Sequence, residues 1–203
     1  TGTQTFTITI SNTNDAPTVD STAVTAVDED SSYLYTVTAS DVDVGDNVAL
    51  SATIGSSSAW LSFEPSTGKL TGTPANGDVG THSITVTATD DDGATGTQTF
   101  TITVANTNDA PTISSTAVTA VDEDSVYSYT VIGDDVDAND GMTLSVTSTL
   151  PTWLSFDATS GVLSGTPLNA HVGTQSVTVQ AEDTAGETGT QTFTITISNT
   201  NDA

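Results

Sequence analysis

The sequence predicts an all-β protein built from antiparallel Greek-key β-sandwiches set end to end, and three observations carry that prediction. Long stretches alternate threonine with Val, Ile or Phe, as in Thr5-Phe6-Thr7-Ile8-Thr9-Ile10, the two-residue period of a half-buried strand. A polar segment, Asn12-Thr13-Asn14-Asp15-Ala16-Pro17-Thr18, returns as Asn106-Thr107-Asn108-Asp109-Ala110-Pro111-Thr112, and its first five letters recur at Asn199-Thr200-Asn201-Asp202-Ala203. Asn12 to Asn106 is 94 positions and Asn106 to Asn199 is 93. Between these segments, turn signals fall about every 8 to 12 residues, the spacing of a sandwich of roughly 100 residues. No stretch supports a helix of ordinary length.

The recurring segment therefore marks repeat boundaries. Residues 1–15 read as the last strand and linker of a preceding repeat, and 16–109 and 110–203 as two complete repeats. Thr1 opens inside strand-like text with no initiator Met and no signal peptide, so the chain is expected to be part of a longer one. No apolar run approaches membrane-spanning length.

Seven strands are predicted in the first repeat. Thr22 to Val27 runs into the acidic turn Asp28-Glu29-Asp30. Tyr33 to Ala39 sets Tyr33, Tyr35, Val37 and Ala39 on one face and ends in Asp41-Val42-Asp43-Val44-Gly45-Asp46. Val48 to Ile54 follows, then Trp60-Leu61-Ser62-Phe63. The segment from Ser66 to Pro74 is a glycine turn feeding a short strand that a proline ends. Thr81 to Thr89 directs Ile84, Val86 and Ala88 inward and closes on Asp90-Asp91-Asp92-Gly93, and Thr95 to Ala105 nearly copies the start of the chain. The second repeat follows the same text at an offset of 94 up to Leu144 and 93 from Trp153, so the length difference falls in a loop. Tyr127, Tyr129 and Val131 are the inward counterparts of Tyr33, Tyr35 and Val37.

Composition narrows the function. There are 26 Asp plus Glu and a single basic residue, Lys69, for a formal charge of -25. Nucleic acid and anionic membrane surfaces both need clustered Lys and Arg, which this chain lacks, so neither is an expected partner. The acids sit in short clusters at strand ends, where carboxylates about 4 Å apart repel by roughly 4 kcal/mol at an effective dielectric near 20. A divalent cation relieves that repulsion, and Asn and Asp oxygens are the hard donors that calcium takes. The competing reading is that these are solvated acidic turns. There is no cysteine, so these small sandwiches have no disulfide, and a bound ion is the natural substitute staple.

The order of motifs carries a resemblance. Acid-Glu-acid after the first strand, Ala-x-Asp-x-Asp-x-Gly after the second, Ala-x-Asp near the sixth and Asn-x-Asn-Asp-Ala-Pro at the exit resemble cadherin repeats. Trp-Leu-Ser-Phe-(x)4-Gly-x-Leu-x-Gly-Thr-Pro narrows this to the dystroglycan-type cadherin-like repeats of large secreted bacterial adhesins of the repeats-in-toxin kind, which some polysaccharide-degrading enzymes also carry. The resemblance implies calcium at each junction between repeats. Carried over by position, it implies that Asn14 and Asp15 meet Asp41, Asp43 and Asp90, and that Asn106, Asn108 and Asp109 meet Asp135, Asp137 and Asp183. Glu29 matches the glutamate that serves the junction after its own repeat, so it belongs with Asn108, and Glu123 belongs with the third linker, Asn201 and Asp202. Asn12 and Asn106 stand where cadherins usually have Asp, and Gly72-Thr73-Pro74 and Gly165-Thr166-Pro167 replace an Asp-Arg-Glu signature, so fewer than three ions per junction are expected.

The implied function is that of a calcium-rigidified spacer in a bacterial cell-surface or secreted adhesin, not an enzyme, its partners being adjacent repeats of its own chain. Asp46, Asp140, Asp91 and Asp92 are either additional ligands or plain surface charge. A second reading is a carbohydrate-binding or self-binding module of an extracellular polysaccharide-processing protein, with Trp60 and Trp153 as stacking platforms. By alternation Trp60 would face away from Leu61 and Phe63; against the sugar reading, a large aromatic is more often packed than functional. His82 and His171 fall at non-equivalent positions, opposite Gln175 and Asp78, and no nucleophile-base pairing is suggested.

Overall fold

The computed structural model describes residues 1–138 and 140–201. It divides into two compact units, Thr1–Thr107 and Asn108–Ala203, two residues before the boundary read from the sequence. Each unit is all β apart from turns. The helical segments among the described residues are three-residue 3-10 turns, at Ser56–Ser58, Asn76–Asp78 and Asn169–His171.

In the first unit the strands are β1 Thr18–Val19, β2 Ala26–Asp28, β3 Tyr33–Thr36, β4 Ala39–Ser40, β5 Ala49–Ile54, β6 Leu61–Glu64, β7 Lys69–Gly72, β8 Gly80–Thr89 and β9 Thr95–Ala105. The order β2-β9-β8-β5 forms one sheet and β3-β7-β6 the other, while β1 pairs with β4. The second unit repeats this with β10 Thr112–Ile113, β11 Ala120–Asp122, β12 Tyr127–Thr130, β13 Gly133–Asp134, β14 Thr143–Val146, β15 Leu154–Asp157, β16 Val162–Gly165, β17 Gly173–Glu182 and β18 Thr188–Ser198. Its sheets are β11-β18-β17-β14 and β12-β16-β15, with the pair β10-β13.

The alternation read from the sequence sets the core. Tyr33, Tyr35, Val37, Leu70, Ile84, Val86 and Ile102 close the first sandwich, and Tyr127, Tyr129, Val131, Leu163, Val177, Val179 and Ile195 the second. On the outer face of β8 and β9, threonines pair across the strands, with Thr85 and Thr99 hydroxyls 3.0 Å apart. The core tyrosines keep their polar ends satisfied: Tyr33 Oη donates to Val24 O (2.7 Å) and Tyr35 Oη to Gln98 Oε1 (2.8 Å). Burial first, then the neighbouring Tyr35, pushes the Tyr33 phenol up to about 12.

Four expectations are corrected. Pairing is not antiparallel throughout, because β2 runs parallel to β9 and β11 to β18. The strand foreseen over Tyr33 to Ala39 breaks at Val37, whose amide goes to Gly68 O, so that β3 stays with β7 and β4 crosses to β1. Thr1–Ile10 is not half-buried: it has no strand partner among the described residues, and Phe6, Ile8 and Ile10 are exposed. An isolated strand leaves its backbone groups to water, so alternation alone does not make one. Finally, Trp60 sits in the turn before β6 rather than on its alternation, and packs against the same core cluster as Leu61 and Phe63.

Candidate metal centre

Two loops and the linker converge where the first sandwich begins. After β4 the chain turns at Asp41-Val42-Asp43, and the Asp43 amide donates to Asp41 Oδ1 (2.8 Å), the local bond by which aspartate replaces a backbone turn. At the far end of β8, Asp90 closes the hairpin to β9 by accepting from the Ala94 amide through Oδ1 (2.7 Å). The linker lies across both. Asn12 Nδ2 donates to Asp43 Oδ1 (2.6 Å), the Asp15 amide to Asp43 Oδ2 (2.7 Å) and Asn14 Nδ2 to Asp90 Oδ2 (3.0 Å). Gly96 makes this approach possible, since a Cβ there would fall 1.9 Å from Pro17 O.

Asp43 and Asp90 are buried, and Asp41, Asp46 and Asp90 each present an oxygen within 4.8 Å of the other two. The hydrogen bond from Asn14, followed by those from the Ala94, Gly93 and Asp92 amides, holds Asp90 below the usual carboxylate range. Asp46 moves the other way, raised by partial desolvation and then by the charges of Asp41, Asp43, Asp92 and Asp91. One oxygen of Asp41, Oδ2, is buried with no hydrogen-bond partner.

The second unit builds the same arrangement from its own residues. Asn108 Nδ2 donates to Asp183 Oδ2 (2.9 Å), the Asp109 amide to Asp137 Oδ2 (2.7 Å) and the Asp137 amide to Asp135 Oδ1 (2.9 Å). Asp183 Oδ1 accepts from the Glu187 amide (2.8 Å). The Asn108 bond again leads the causes that lower the Asp183 carboxyl. Asp135, Asp140 and Asp183 bring one oxygen each within 4.8 Å, and Asp135 Oδ2 is buried without a partner.

At the other end of each sandwich, where the last strand leaves, a glutamate is enclosed. Glu29 follows β2, its amide donating to Ala105 O (2.9 Å), and its Oε1 accepts from the Thr107 amide (2.8 Å). Glu123 does the same with Ser198 O (3.0 Å) and the Thr200 amide (2.7 Å). Both carboxylates are only 1–2% exposed, and in both Oε2 is buried with no partner.

Of the residues predicted as ligands, the structure brings Asn14, Asp15, Asp41, Asp43 and Asp90 together in the first unit, and Asn108, Asp109, Asp135, Asp137 and Asp183 in the second. Asn106 is exposed beyond β9, and Asp202 lies outside the described residues. The sequence does not by itself mark two contributions: the Asn12 amide, and Asp46 with its counterpart Asp140. The recurrence of Asp46 and Asp140 at the same 94-residue offset as Asp41 and Asp135 was the available signal.

Trp60 and Trp153 are half-buried. Trp60 packs edge-on against Tyr33 and His82, with centroids 5.9 and 5.6 Å away. Its carbonyl crosses β7 so closely that a Cβ on Gly72 would lie 2.1 Å from it, as one on Gly165 would lie 1.8 Å from Trp153 O, which explains the glycine of the Gly-Thr-Pro motif. His82 is buried, its Nε2 2.7 Å from Asp78 O and its Nδ1 2.9 Å from Ser58 Oγ. A carbonyl only accepts, so Nε2 carries the proton and Ser58 donates to Nδ1.

Fold and site together define a tandem array of Ig-like, cadherin-like sandwiches with acidic loops at the entry of each repeat. The chain belongs to the family described as Putative Ig domain, which matches residues 16–105 and 110–198. It is similar to the serine-rich adhesins for platelets of Staphylococcus aureus, 30% identical over 133 residues in strain MRSA252 and 31% in strain MSSA476. The match takes in 66% of this chain but 9% and 6% of those proteins, so the chain spans under a tenth of the curated relatives' length. Among solved structures, it resembles the first two extracellular repeats of human protocadherin-24 (18% identity, 93% of this chain and 100% of that one, TM-score 0.58). Repeats 22–24 of mouse cadherin-23 are also similar (18% identity, 91% and 65%, TM-score 0.52). At that identity the likeness concerns the fold.

Proposed function

We propose that these repeats are calcium-stiffened spacers of an adhesion protein displayed or secreted at a bacterial surface, without catalytic activity. The observation that carries the reading is the pattern of orphaned oxygens. Among the described residues, five buried side-chain polar atoms lack a partner, and four are carboxylate oxygens at two equivalent positions in each repeat: Asp41 and Asp135, Glu29 and Glu123. An unpartnered buried carboxylate oxygen is costly, and the one basic side chain of the chain, Lys69, is exposed. A hard divalent cation matches the need, since calcium takes six to eight oxygens and tolerates irregular geometry.

Asp41, Asp46, Asp90 and the Asn14 side-chain oxygen would supply one such shell, and Asp135, Asp140, Asp183 and the Asn108 oxygen its copy. Glu29 and Glu123, each with an orphaned Oε2 at the exit of its own repeat, would offer one further donor there. Bound calcium would supply charge neutralisation and a fixed angle between repeats. In its absence the carboxylates repel and the linker loosens. Extracellular modules of this kind bind at about 10⁻⁴ to 10⁻³ M, which fills the sites outside cells and leaves them empty inside.

The test is thermal unfolding in millimolar calcium, magnesium or chelator, with small-angle scattering on the same samples. Calcium at about tenfold its Kd adds ~1.4 kcal/mol per site, or about 6–11 °C in Tm for a domain of this size. The particle should lengthen in calcium and loosen in chelator. Coincident melts and unchanged scattering in all three solutions would show that the acidic loops are solvated turns and end the proposal.

A further inference from the structure

The second acidic cluster rests on a sulfur atom that the first lacks. Met142 is the sole methionine of the chain, and there is no cysteine. Its thioether lies across Gly133: a Cβ there would fall 2.5 Å from Met142 Sδ, 2.9 Å from its Cε and 3.4 Å from the Ala181 methyl. Gly133 opens β13, and Ala181, fully buried, stands next to the last residue of β17. Asp135 comes two residues after Gly133, Asp183 two after Ala181, and Asp140 two before Met142. Those are the three carboxylates that bring one oxygen each within 4.8 Å. The thioether contact is therefore where the three segments that carry the cluster pack on one another. In the first repeat the same positions hold Ala39, Ala88 and Val48, so that a methyl on Ala39 and a shorter Val48 replace the glycine and the thioether.

We propose that Met142 is an oxidation site through which a hydroperoxide loosens the entry loops of the second repeat and leaves those of the first unchanged. Met142 is half-buried rather than enclosed, which leaves it open to a small oxidant. The sulfur lone pair attacks one peroxide oxygen, an S–O bond forms as the O–O bond breaks, and the departing hydroxide takes up a proton and leaves as water. The sulfide loses two electrons and the peroxide gains them. The product is a polar sulfoxide, bulkier than the thioether and carrying a strong acceptor. The Ala181 methyl and the Gly133 α-carbon donate no hydrogen bond to it, so the new oxygen is either unpaired in the contact or carries the side chain out of it. Both outcomes part the ends of β13 and β17 from the segment before β14. Ala39, Val48 and Ala88 contain nothing that a peroxide oxidises.

The packing argument stands without any cation, whereas its consequence for calcium rests on the reading above, so the two are measured apart. The full chain is treated with hydrogen peroxide and mapped by mass spectrometry, and its amide hydrogen exchange is followed in chelator. One oxygen per chain is expected, at Met142. Exchange should quicken by about 10-fold or more over β13, β14 and the end of β17, stay unchanged over β4, β5 and β8, and recover after treatment with methionine sulfoxide reductase. In calcium, the affinity of the second repeat should fall by about 10-fold or more while that of the first holds. A chain that binds no calcium in either state ends the cation reading, and exchange in chelator still decides this one. Met142→Val with Gly133→Ala, which installs the pair of the first repeat, should take up no oxygen and ignore peroxide, as should Met142→Leu. Three results would overturn the proposal: a Met142 that oxidises in urea but resists peroxide in the folded chain, a sulfoxide that leaves exchange in the second repeat unchanged, or equal loosening of the first repeat or of the methionine-free variants.

Discussion

The two entry loops share their bonds and differ in their charge. The asparagine-to-aspartate bond is 3.0 Å in the first unit and 2.9 Å in the second, the linker amide bond 2.7 Å in both, and the Asx bond 2.8 and 2.9 Å. Around them the text diverges: Asp90-Asp91-Asp92-Gly93 becomes Asp183-Thr184-Ala185-Gly186. Asp46 therefore faces additional carboxylates, which help raise it, while Asp140 accepts hydrogen bonds from the Thr184 hydroxyl and amide. What repeats is the scaffold that aims the oxygens; what varies is how much negative charge surrounds them. The first loop is the more repulsive without a cation and should depend on one more strongly.

The largest effect should come from breaking either scaffold at its buried aspartate. Asp90→Ala or Asp183→Ala should each weaken calcium binding at its own repeat by at least about 100-fold, seen by calorimetry as loss of one class of site while the other persists. Loss of both sites from one substitution would mean that the loops do not act separately. Next come the positioning amides. Asn14→Ala and Asn108→Ala should each cost about 10- to 100-fold in affinity. Both also act on acid stability in chelator. Because Asp90 and Asp183 are lowered in the fold, their stabilisation is present above the unfolded carboxylate value near 3.9 and is lost as pH falls through the lower folded value. Removing the leading cause should move acid unfolding to higher pH, and an unchanged acid transition would show that the asparagines do not set these carboxyls.

Much of this was legible beforehand, and the failures have physical causes. The core tyrosines, Ile84 and Val86 followed from a two-residue period that a closed sandwich enforces by burying one face. The entry clusters followed from recurrence of acids at strand ends. Trp60 misled because alternation holds only within a strand, and the residue lies in the preceding turn, held by the close crossing over Gly72. Thr1–Ile10 misled because a strand pattern states what a segment could pair with, not that the partner is present. The parallel β2–β9 pairing was hidden because side-chain periodicity carries no strand direction. Asp46 stood undecided because one carboxylate in an acidic loop looks the same whether it faces water or a cation.

The smaller effects sharpen the contrast between loops, and they turn on sign. A carboxyl raised in the fold binds its proton more tightly folded than unfolded, so ionised Asp46 destabilises the first repeat at neutral pH and the penalty is relieved as pH falls through the raised value. Asp46→Asn should therefore raise the melting temperature in chelator by a few degrees and yet lower it in calcium, where a charged donor has become a neutral one. A rise in both solutions would assign Asp46 to surface charge. Thr184→Asp runs the experiment in reverse on the second repeat, withdrawing the hydroxyl that donates to Asp140 and adding the charge that the first loop has in Asp91. Its melting temperature in chelator should fall slightly and its calcium-induced gain widen toward that of the first repeat. Equal falls in chelator and in calcium would mean that charge around the cluster is felt by the fold but not by the ion. The difference between the two loops would then concern only the apo state.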